Sequence, residues 1–228
     1  NEAGVLGDFN PEFLIKKLSA TQLRQQRADA FARKPELEKA WFTELEEAEG
    51  TQCFLNAMQN YPELGGQKAN LYKCFLPQAW RWGSEQGVSG FLHPEGIYDD
   101  PNGGEFRAKV YQRLRAHLQF QNEKKLFPIG NRNKFSINIF GNGNHEIRFA
   151  HIANLFVPKT VDLCFEHDGN GAVPGIKDEE DNWSVNGHQS RITWVTLKSL
   201  GVVAELYDEA VTPPVHARLP AIHSQALL

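Results

Sequence analysis

The sequence has few cysteines to form disulfides and no long apolar run to anchor the chain in a membrane. Its three cysteines, Cys53, Cys74 and Cys164, are an odd number at wide spacings, which indicates reduced thiols packed in the core rather than a disulfide framework or a zinc knuckle. No apolar run approaches the ~20 residues that a membrane helix needs, and the first residues lack the basic and apolar regions of a secretion signal. We therefore expect a cytoplasmic protein with no membrane partner.

A strong excess of one charge is also missing. Lys and Arg number 24 against 28 Asp and Glu, a formal net charge of −4 among 228 residues. The whole chain therefore lacks the basic footprint of an autonomous nucleic-acid binder, and any contact with DNA must use a local patch. The composition, 41% hydrophobic and 23% charged, is that of an ordinary globular protein and excludes a collagen, a coiled coil and a wholly disordered chain.

Methionine is almost absent as well. The only one is Met58, and the chain starts at Asn1. Removal of a start residue by processing would account for this, but we interpret the chain as a segment of something longer. A functional interpretation must then allow for missing parts.

Residues 1–66 have the pattern of a helical region. Ser19 and Gln22 have the spacing of a capping box, and Pro35 suits the first position of a further helix. Along that helix an apolar face recurs at spacings of three or four, formed by Leu37, Trp41, Leu45 and Ala48. The glycine and proline signals at 62–66 predict a boundary near residues 62–67.

Beyond residue 66 the pattern alternates between helix and strand, which is typical of an α/β sheet. The predicted elements are a helix over 68–82 with Leu71, Phe75, Ala79 and Trp82 on one face, a strand over 87–94, a helix over 105–117, a strand over 191–195 and a helix over 197–207. The stretch 168–191, just before the last strand and helix, is rich in glycine and acidic residues and predicts a surface loop.

A change to a period of two marks the segment 135–152. Phe135, Ile137 and Ile139 alternate with polar residues, the glycines and asparagines of 141–144 are a turn signal, and the alternation resumes from Ile147. We predict an antiparallel hairpin over 135–152, at the edge of the sheet, with Phe135, Ile137 and Ile139 on one face.

Individual motifs reveal no complete active site. His145 and His151 do not have the spacing of a helical zinc pair, and Ala172 stands where a calcium loop starting at Asp168 requires an oxygen ligand. No serine or cysteine lies at a recognisable nucleophile elbow. We predict no metal site and no catalytic residue in this segment.

A longer constellation resembles a known family. The motif 70–76 reads Asn-Leu-Tyr-Lys-Cys-Phe-Leu and opens a helix. A glycine-containing strand that ends at Pro94 follows, then a helix, and then Phe127-Pro128 ahead of 134–140. This order resembles the second half of the catalytic domain of amino-adenine DNA methyltransferases from type II and type IIG restriction-modification systems. There, such a motif precedes a Gly-rich strand ending in Pro, a helix, and a Phe-Pro loop leading into a hairpin.

The resemblance implies a role for each matching residue. Phe127 is expected to stack on an adenine extruded from the duplex, since an aromatic ring replaces the stacking that the base loses, and Pro128 is expected to stiffen that loop. Phe75 is expected to edge the pocket for the adenine ring of S-adenosylmethionine. The implied parent protein methylates the amino group of adenine in double-stranded DNA, in restriction-modification or phage defence.

Two parts of the family pattern are absent from the sequence. The Asn-Pro-Pro-aromatic motif that accepts hydrogen bonds from the adenine amine has no counterpart, since Thr212-Pro213-Pro214-Val215 lacks both the acceptor and the aromatic residue. The glycine-rich loop for the cofactor is missing as well. In the family both precede the Asn70 helix, so we expect that they lie before Asn1.

The expected organisation follows from this assignment. A helical insertion over 1–66 precedes the second half of a Rossmann-like methyltransferase sheet over 67–165, which carries the C-terminal antiparallel hairpin. Residues 166–228 form a loop and the start of a following module. The alternative is a non-catalytic α/β interaction module whose partner surface is marked by Trp41, Trp80 and Trp82.

We predict that this chain alone is inactive and does not bind S-adenosylmethionine. Without a cofactor loop or an acceptor for the adenine amine, neither binding nor in-line transfer has its main parts. Titration calorimetry with S-adenosylmethionine should show no heat of binding. A micromolar affinity would contradict the account in which the missing parts precede Asn1.

Overall fold

The structure, a computed structural model, describes residues 2–16, 18–67, 70–143 and 146–228. The chain forms two compact units, Asn1–Asn60 and Tyr61–Leu228, and the division falls shortly before the boundary expected at 62–67. None of the described helices is long and apolar enough to cross a membrane.

The first unit is helical, as predicted. The capping box is present: Gln22 donates its backbone N–H to Ser19 Oγ at 3.3 Å, and Ser19 donates its own to Gln22 Oε1 at 3.0 Å. A small core joins the helices through Leu6, Phe13, Ala30 and Leu37, with Trp41 packed against it. The helices are α1 (Glu2–Phe9), α2 (Glu12–Ile15), α3 (Ala20–Arg33) and α4 (Pro35–Asn56).

The second unit is α/β, as expected. Its strands are β1 (Ser89–Pro94), β2 (Leu114–Gln121), β3 (Lys134–Phe140), β4 (Arg148–Leu155) and β5 (Thr193–Thr196). Its α-helices are α5 (Leu71–Trp82), α6 (Gly96–Asp99), α7 (Gly104–Tyr111), α8 (Lys159–Glu166) and α9 (Leu197–Tyr207). The predicted strand ending at Pro94 and the helix over 197–207 are thereby confirmed.

The five strands form one mixed, open sheet in the order β1-β3-β2-β4-β5. Strand β3 lies between β1 and β2 and is antiparallel to both. Strand β4 is parallel to β2, and β5 is antiparallel to β4. Such a sheet is compatible with a Rossmann-like fold.

The predicted hairpin over 135–152 is wrong, because β2 lies between β3 and β4. The hairpin of this unit is instead β2–β3, and the Phe127-Pro128 segment is its loop. The chain after β3 crosses the start of β2, where Gly141 donates its N–H to the Arg113 carbonyl and Arg115 binds the Asn142 carbonyl. Asn144, at the end of the predicted turn, and the neighbouring His145 lie outside the described residues.

The helix predicted over 105–117 stops early, and β2 begins at Leu114. Phe106 and Val110 are buried on α7, but Leu114 and Leu118 belong to the strand. A spacing of four residues fits one helical turn and also two strand repeats. The apolar spacing therefore could not show where the helix ends.

The two faces of the sheet differ in chemistry. Phe135, Ile137 and Ile139 share the apolar face as predicted, and the cross-strand row Leu92, Ile137, Leu118 and Ile152 belongs to it. On the opposite face the side chains of Ser136 and Asn138 are fully buried, whereas Ile137 and Ile139 are only half-buried. The polar face of β3 is thus the more protected one.

Helix α5 exposes the side that the sequence marks as apolar. Leu71, Phe75 and Trp82 are exposed, while Lys73 and Cys74 are buried. Lys73 is neutralised by Asp100 at 3.1 Å. The three cysteines are free, but Cys53 is exposed, so the interpretation of all three as core residues is wrong for that one.

Residues 166–228 continue the second unit. The stretch 168–191 is mostly loop, as predicted, and β5 and α9 follow it. The chain then returns across the polar side of the sheet, where Arg107 donates to the His216 carbonyl at 2.9 Å and Tyr111 to the Ala217 carbonyl at 2.7 Å. These bonds tie the last residues to α7.

Removing the capping box should loosen the start of α3. Ser19→Ala deletes the acceptor of the Gln22 N–H, and an N-cap substitution of this kind costs about 1 kcal/mol. Hydrogen exchange at the Gln22 amide should speed up by roughly fivefold, whereas Thr21→Ala, an exposed change in the same turn, should leave it unchanged. Equal exchange in both variants would contradict the role of Ser19.

Candidate functional site

The β2–β3 loop has a conformation held by polar bonds. It begins with a 3₁₀ turn over Asn122–Lys124, after which Lys125 adopts a left-handed backbone with φ +50°. The side chain of Asn122 is fully buried beneath the loop and bonds to Phe127 and Ile129. The loop therefore presents Phe127 and Pro128 in a defined position.

The Phe127 ring is partly exposed, as expected for a ring that meets a ligand. It is 38% exposed and meets the edge of the Phe135 ring at a centroid distance of 5.0 Å. Phe135 is in turn stacked on Phe120 at 5.5 Å. A ladder of aromatic rings thus supports Phe127, whose ring stays partly exposed.

Phe127 and Pro128 line one wall of a groove of about 610 Å³ on the apolar face of the sheet. This volume lies within the ~300 to 1,000 Å³ of small-molecule sites. The groove residues are Leu92, His93, Pro94, Phe127, Pro128, Ile129, Asn133, Lys134 and Phe135. Strand alternation puts the His93 side chain on the opposite face, so the groove is apolar apart from Asn133 and Lys134.

The same loop carries a local basic patch. Lys124, Lys125, Arg132 and Lys134 are all exposed. The nearby Glu123 hydrogen-bonds to Gln121 and Asn131 rather than to these cations. Of these, Lys134 lines the groove, so positive charge lies beside it although the chain is acidic overall.

Behind the groove, a buried hydrogen-bond chain crosses the polar face of the sheet. His117 Nε2 donates to Glu95 Oε1 at 3.2 Å, and Gln119 donates to Glu95 Oε2 at 2.8 Å. A hydrogen bond of 2.8 Å joins His117 Nδ1 and His151 Nδ1, and His151 Nε2 accepts the Ile222 N–H at 3.4 Å. Glu95 follows Pro94 directly, so this network fixes the end of β1 beside the groove.

Burial and pairing set the charges of this network. Burial by itself would raise the pKa of Glu95, but the charge and hydrogen bond of His117 outweigh it and hold that pKa at about 2. Burial, assisted by His117, lowers the pKa of His151 to about 3. At neutral pH, Glu95 is thus an anion and His151 is uncharged.

The chain matches no protein-family model and no curated protein. The function of the site must therefore be inferred from its geometry.

The structure brings together two of the residues singled out in the sequence. Phe127 and Pro128 share the groove, but Phe75 does not line it. Phe75 lies on α5 with its side chain 56% exposed. Its proposed contact with a cofactor stays a prediction.

Sequence reasoning missed Asn122 and the chain Glu95–His117–His151. The available signal was the alternation of polar residues in β2 and β3, His117 and Gln119 in one strand and Ser136 and Asn138 in the other. Polar residues at every second position normally indicate a solvated face. Here that face is covered by α6, α7 and the returning chain.

Acid should destabilise the second unit through two buried groups. The folded pKa values of Glu95 and His151, about 2 and about 3, lie below their ordinary values, so the unfolded chain takes up these protons first. Stability present above pH 6.5 is therefore lost as the pH falls, first through His151 and below pH 4.5 also through Glu95. Each group contributes a slope of up to about 1.4 kcal/mol per pH unit.

Urea unfolding between pH 7 and 4 measures this loss. His151→Gln should reduce the slope between pH 6.5 and 4.5, and the remainder comes from His93 and His223, whose pKa values burial also lowers. Thr193→Val, which deletes a buried hydroxyl without a partner in the described structure, should keep the wild-type slope. An unchanged slope in His151→Gln would show that this histidine does not carry the acid response.

Proposed function

We propose that this chain is the base-binding part of a DNA methyltransferase that transfers a methyl group from S-adenosylmethionine to the amino group of adenine. The observation that carries the proposal is the half-exposed Phe127 on a preformed loop at the wall of an apolar groove. The membership in a restriction-modification or phage-defence system belongs to the same proposal.

The order of elements supports this proposal. Asn70 precedes α5, β1 ends at Pro94, α6 and α7 follow, and the Phe127-Pro128 loop lies in a hairpin. As far as α7 this is the order expected from the family resemblance; the expected hairpin after the Phe-Pro loop is not formed, because β3 pairs with β1 and β2. The correction of the hairpin partner places the Phe-Pro loop within the hairpin instead of ahead of it.

The chemistry of the groove suits a planar base. An extruded base loses its stacking in the duplex, and an aromatic face replaces it at about 1 to 3 kcal/mol. Phe127 offers a partly exposed ring that packs on Phe135. Leu92, Pro94 and Ile129 supply apolar walls for the base.

The local basic patch suits the phosphate backbone. Lys124, Lys125 and Arg132 lie on the loop that carries Phe127, and Lys134, at the start of β3, lines the groove. Each phosphate contact releases counterions, which makes binding strongly salt-dependent. A local basic patch of this kind would allow contact with DNA although the net charge of the chain is negative.

The described residues offer one candidate contact for S-adenosylmethionine. Phe75 is the candidate for its adenine ring, yet that side chain stands on an exposed helix face away from the groove residues. We therefore derive no step of methyl transfer from these residues. Their proposed part is to receive and orient the base.

The second candidate function, a protein-interaction module, is favoured by α5. Its exposed side combines Leu71, Phe75 and Trp82, and Trp82 is 83% exposed. Trp41 and Trp80 are less suitable as partner contacts, because Trp41 packs on the core of the first unit and Trp80 on Phe106 and Phe140. Only the α5 surface supports this alternative.

Removing the Phe127 ring should weaken base binding with little loss of stability. Phe127→Ala should bind about 5- to 150-fold more weakly to a duplex with 2-aminopurine opposite an abasic site, since about 1 to 3 kcal/mol of stacking is lost. The fluorescence quenching of 2-aminopurine measures the binding. The free energy of unfolding should fall by about 1 kcal/mol, the value of an edge-to-face ring contact.

Phe165→Ala, an equally simple truncation on the exposed side of α8, is the matched control and should bind as wild type. Unchanged binding in Phe127→Ala, together with a stability loss of about 3 to 5 kcal/mol, would make Phe127 a core residue and overturn the proposal. Under the interaction-module alternative, Trp82→Ala and not Phe127→Ala would abolish partner binding.

A further inference from the structure

Asn122 uses its whole side-chain amide on the loop that bears Phe127. Its Nδ2 donates to the carbonyls of Phe127 at 2.9 Å and Ile129 at 3.0 Å, and reaches that of Gly130 at 3.4 Å. Its Oδ1 accepts the backbone N–H of Phe127 at 3.1 Å. Phe127 is therefore held at both its N–H and its carbonyl by one side chain.

The main chain of Asn122 closes the base of the same loop. Its N–H donates to the Asn133 carbonyl at 3.0 Å, and its carbonyl accepts the Lys125 N–H at 2.9 Å. The residue is fully buried, whereas the residues it holds lie in a stretch, 124–134, that is exposed throughout. The loop has little apolar burial to hold its shape, so these polar bonds determine it.

Only asparagine satisfies this arrangement. The loop presents carbonyl oxygens to one end of the side chain and an N–H to the other, which requires a donor and an acceptor in one short group. An aspartate has the same shape, but its ionised carboxylate would face carbonyl oxygens without a hydrogen to donate. The site therefore discriminates between two side chains of equal size.

We propose that Asn122 is the positioning residue that holds the Phe127-Pro128 loop in the conformation that receives the base. This inference rests on the proposed function. Because the loop is held from inside the protein, the groove is formed before any ligand arrives. Binding of the base then costs no conformational entropy for ordering the loop. The affinity for the base therefore depends on Asn122, although Asn122 does not touch the base.

The test combines Asn122→Asp with Asn122→Ser, a smaller uncharged variant in case the first fails to fold. Asn122→Ser should accelerate hydrogen exchange at the Phe127 amide by about 5- to 10-fold, since the acceptor of that N–H is lost. Asn122→Asp keeps an acceptor for this N–H, but its carboxylate repels the Phe127 and Ile129 carbonyls and should open the loop, so exchange at the Phe127 amide should rise there as well. Both should also weaken binding to the 2-aminopurine duplex by about fivefold or more. Asn170→Asp and Asn170→Ser are the matched controls: they make the same changes at an exposed amide of the loop over 168–191 and should leave the β2–β3 loop and the binding as wild type.

A double-variant cycle separates this role from a general loss of stability. If Asn122 acts through Phe127, Asn122→Ser together with Phe127→Ala should bind no more weakly than Phe127→Ala alone. Additive losses, or unchanged exchange in both Asn122 variants, would overturn the inference. The same holds if Phe127→Ala weakens binding while the Asn122 variants do not.

Failure of the proposed function has a different signature. If Phe127→Ala binds the 2-aminopurine duplex as wild type, the loop does not bind the base and the proposed function is wrong. The role of Asn122 is then wrong as well, whatever the exchange rates of the Asn122 variants.

Discussion

The burial of a polar sheet face is the constraint on which the second unit depends. His117, Gln119, Ser136 and Asn138 project from β2 and β3 into a region closed to solvent. A buried polar group without a partner costs about 1 to 3 kcal/mol, so these side chains must find one another across the strands. They do so only in one register, because a slip of one residue would carry the whole set to the apolar face.

This network also explains how distant parts of the chain meet. Glu95 at the end of β1 binds His117 on β2, which binds His151 on β4, which meets Ile222 in the returning chain. On the same face, Tyr98 donates to Asn138 of β3 at 2.6 Å. Strands that are not consecutive in sequence are thus joined by side chains as well as by the backbone ladder.

The groove lies on the apolar face of the sheet, but its shape depends on the hydrogen-bond network of the polar face. Since the buried network anchors the end of β1, Pro94 is fixed beside Phe135, its partner in the ladder. The β2–β3 loop rises next to them and carries Phe127, which rests on Phe135 and is held by Asn122. The rigid sheet and the polar bonds of the loop together give the groove its shape, and Lys134 lines it.

Much of the local structure was predictable from the residues. The capping box at Ser19, the helix start at Pro35, the strand that ends at Pro94 and the helix over 197–207 each depend on nearby residues alone. The partly exposed Phe127 was also found from its motif. Asn122 was missed because its partners lie in a loop whose backbone conformation leaves no periodic signal.

The sequence by itself determined most of the helices and several of the strands, because hydrogen bonding in a turn and alternation in a strand are properties of neighbouring residues. It did not show where α7 ends and β2 begins. The tertiary structure alone decided which strands pair and which face is buried. Alternation identifies β3 as a strand, but its place between β1 and β2 depends on which strands pair, and residues 141–143 after it run past the start of β2. Likewise, alternating polar residues show that a sheet has two unlike faces, and only the packing of α6, α7 and the returning chain made the polar face of β2 and β3 the buried one.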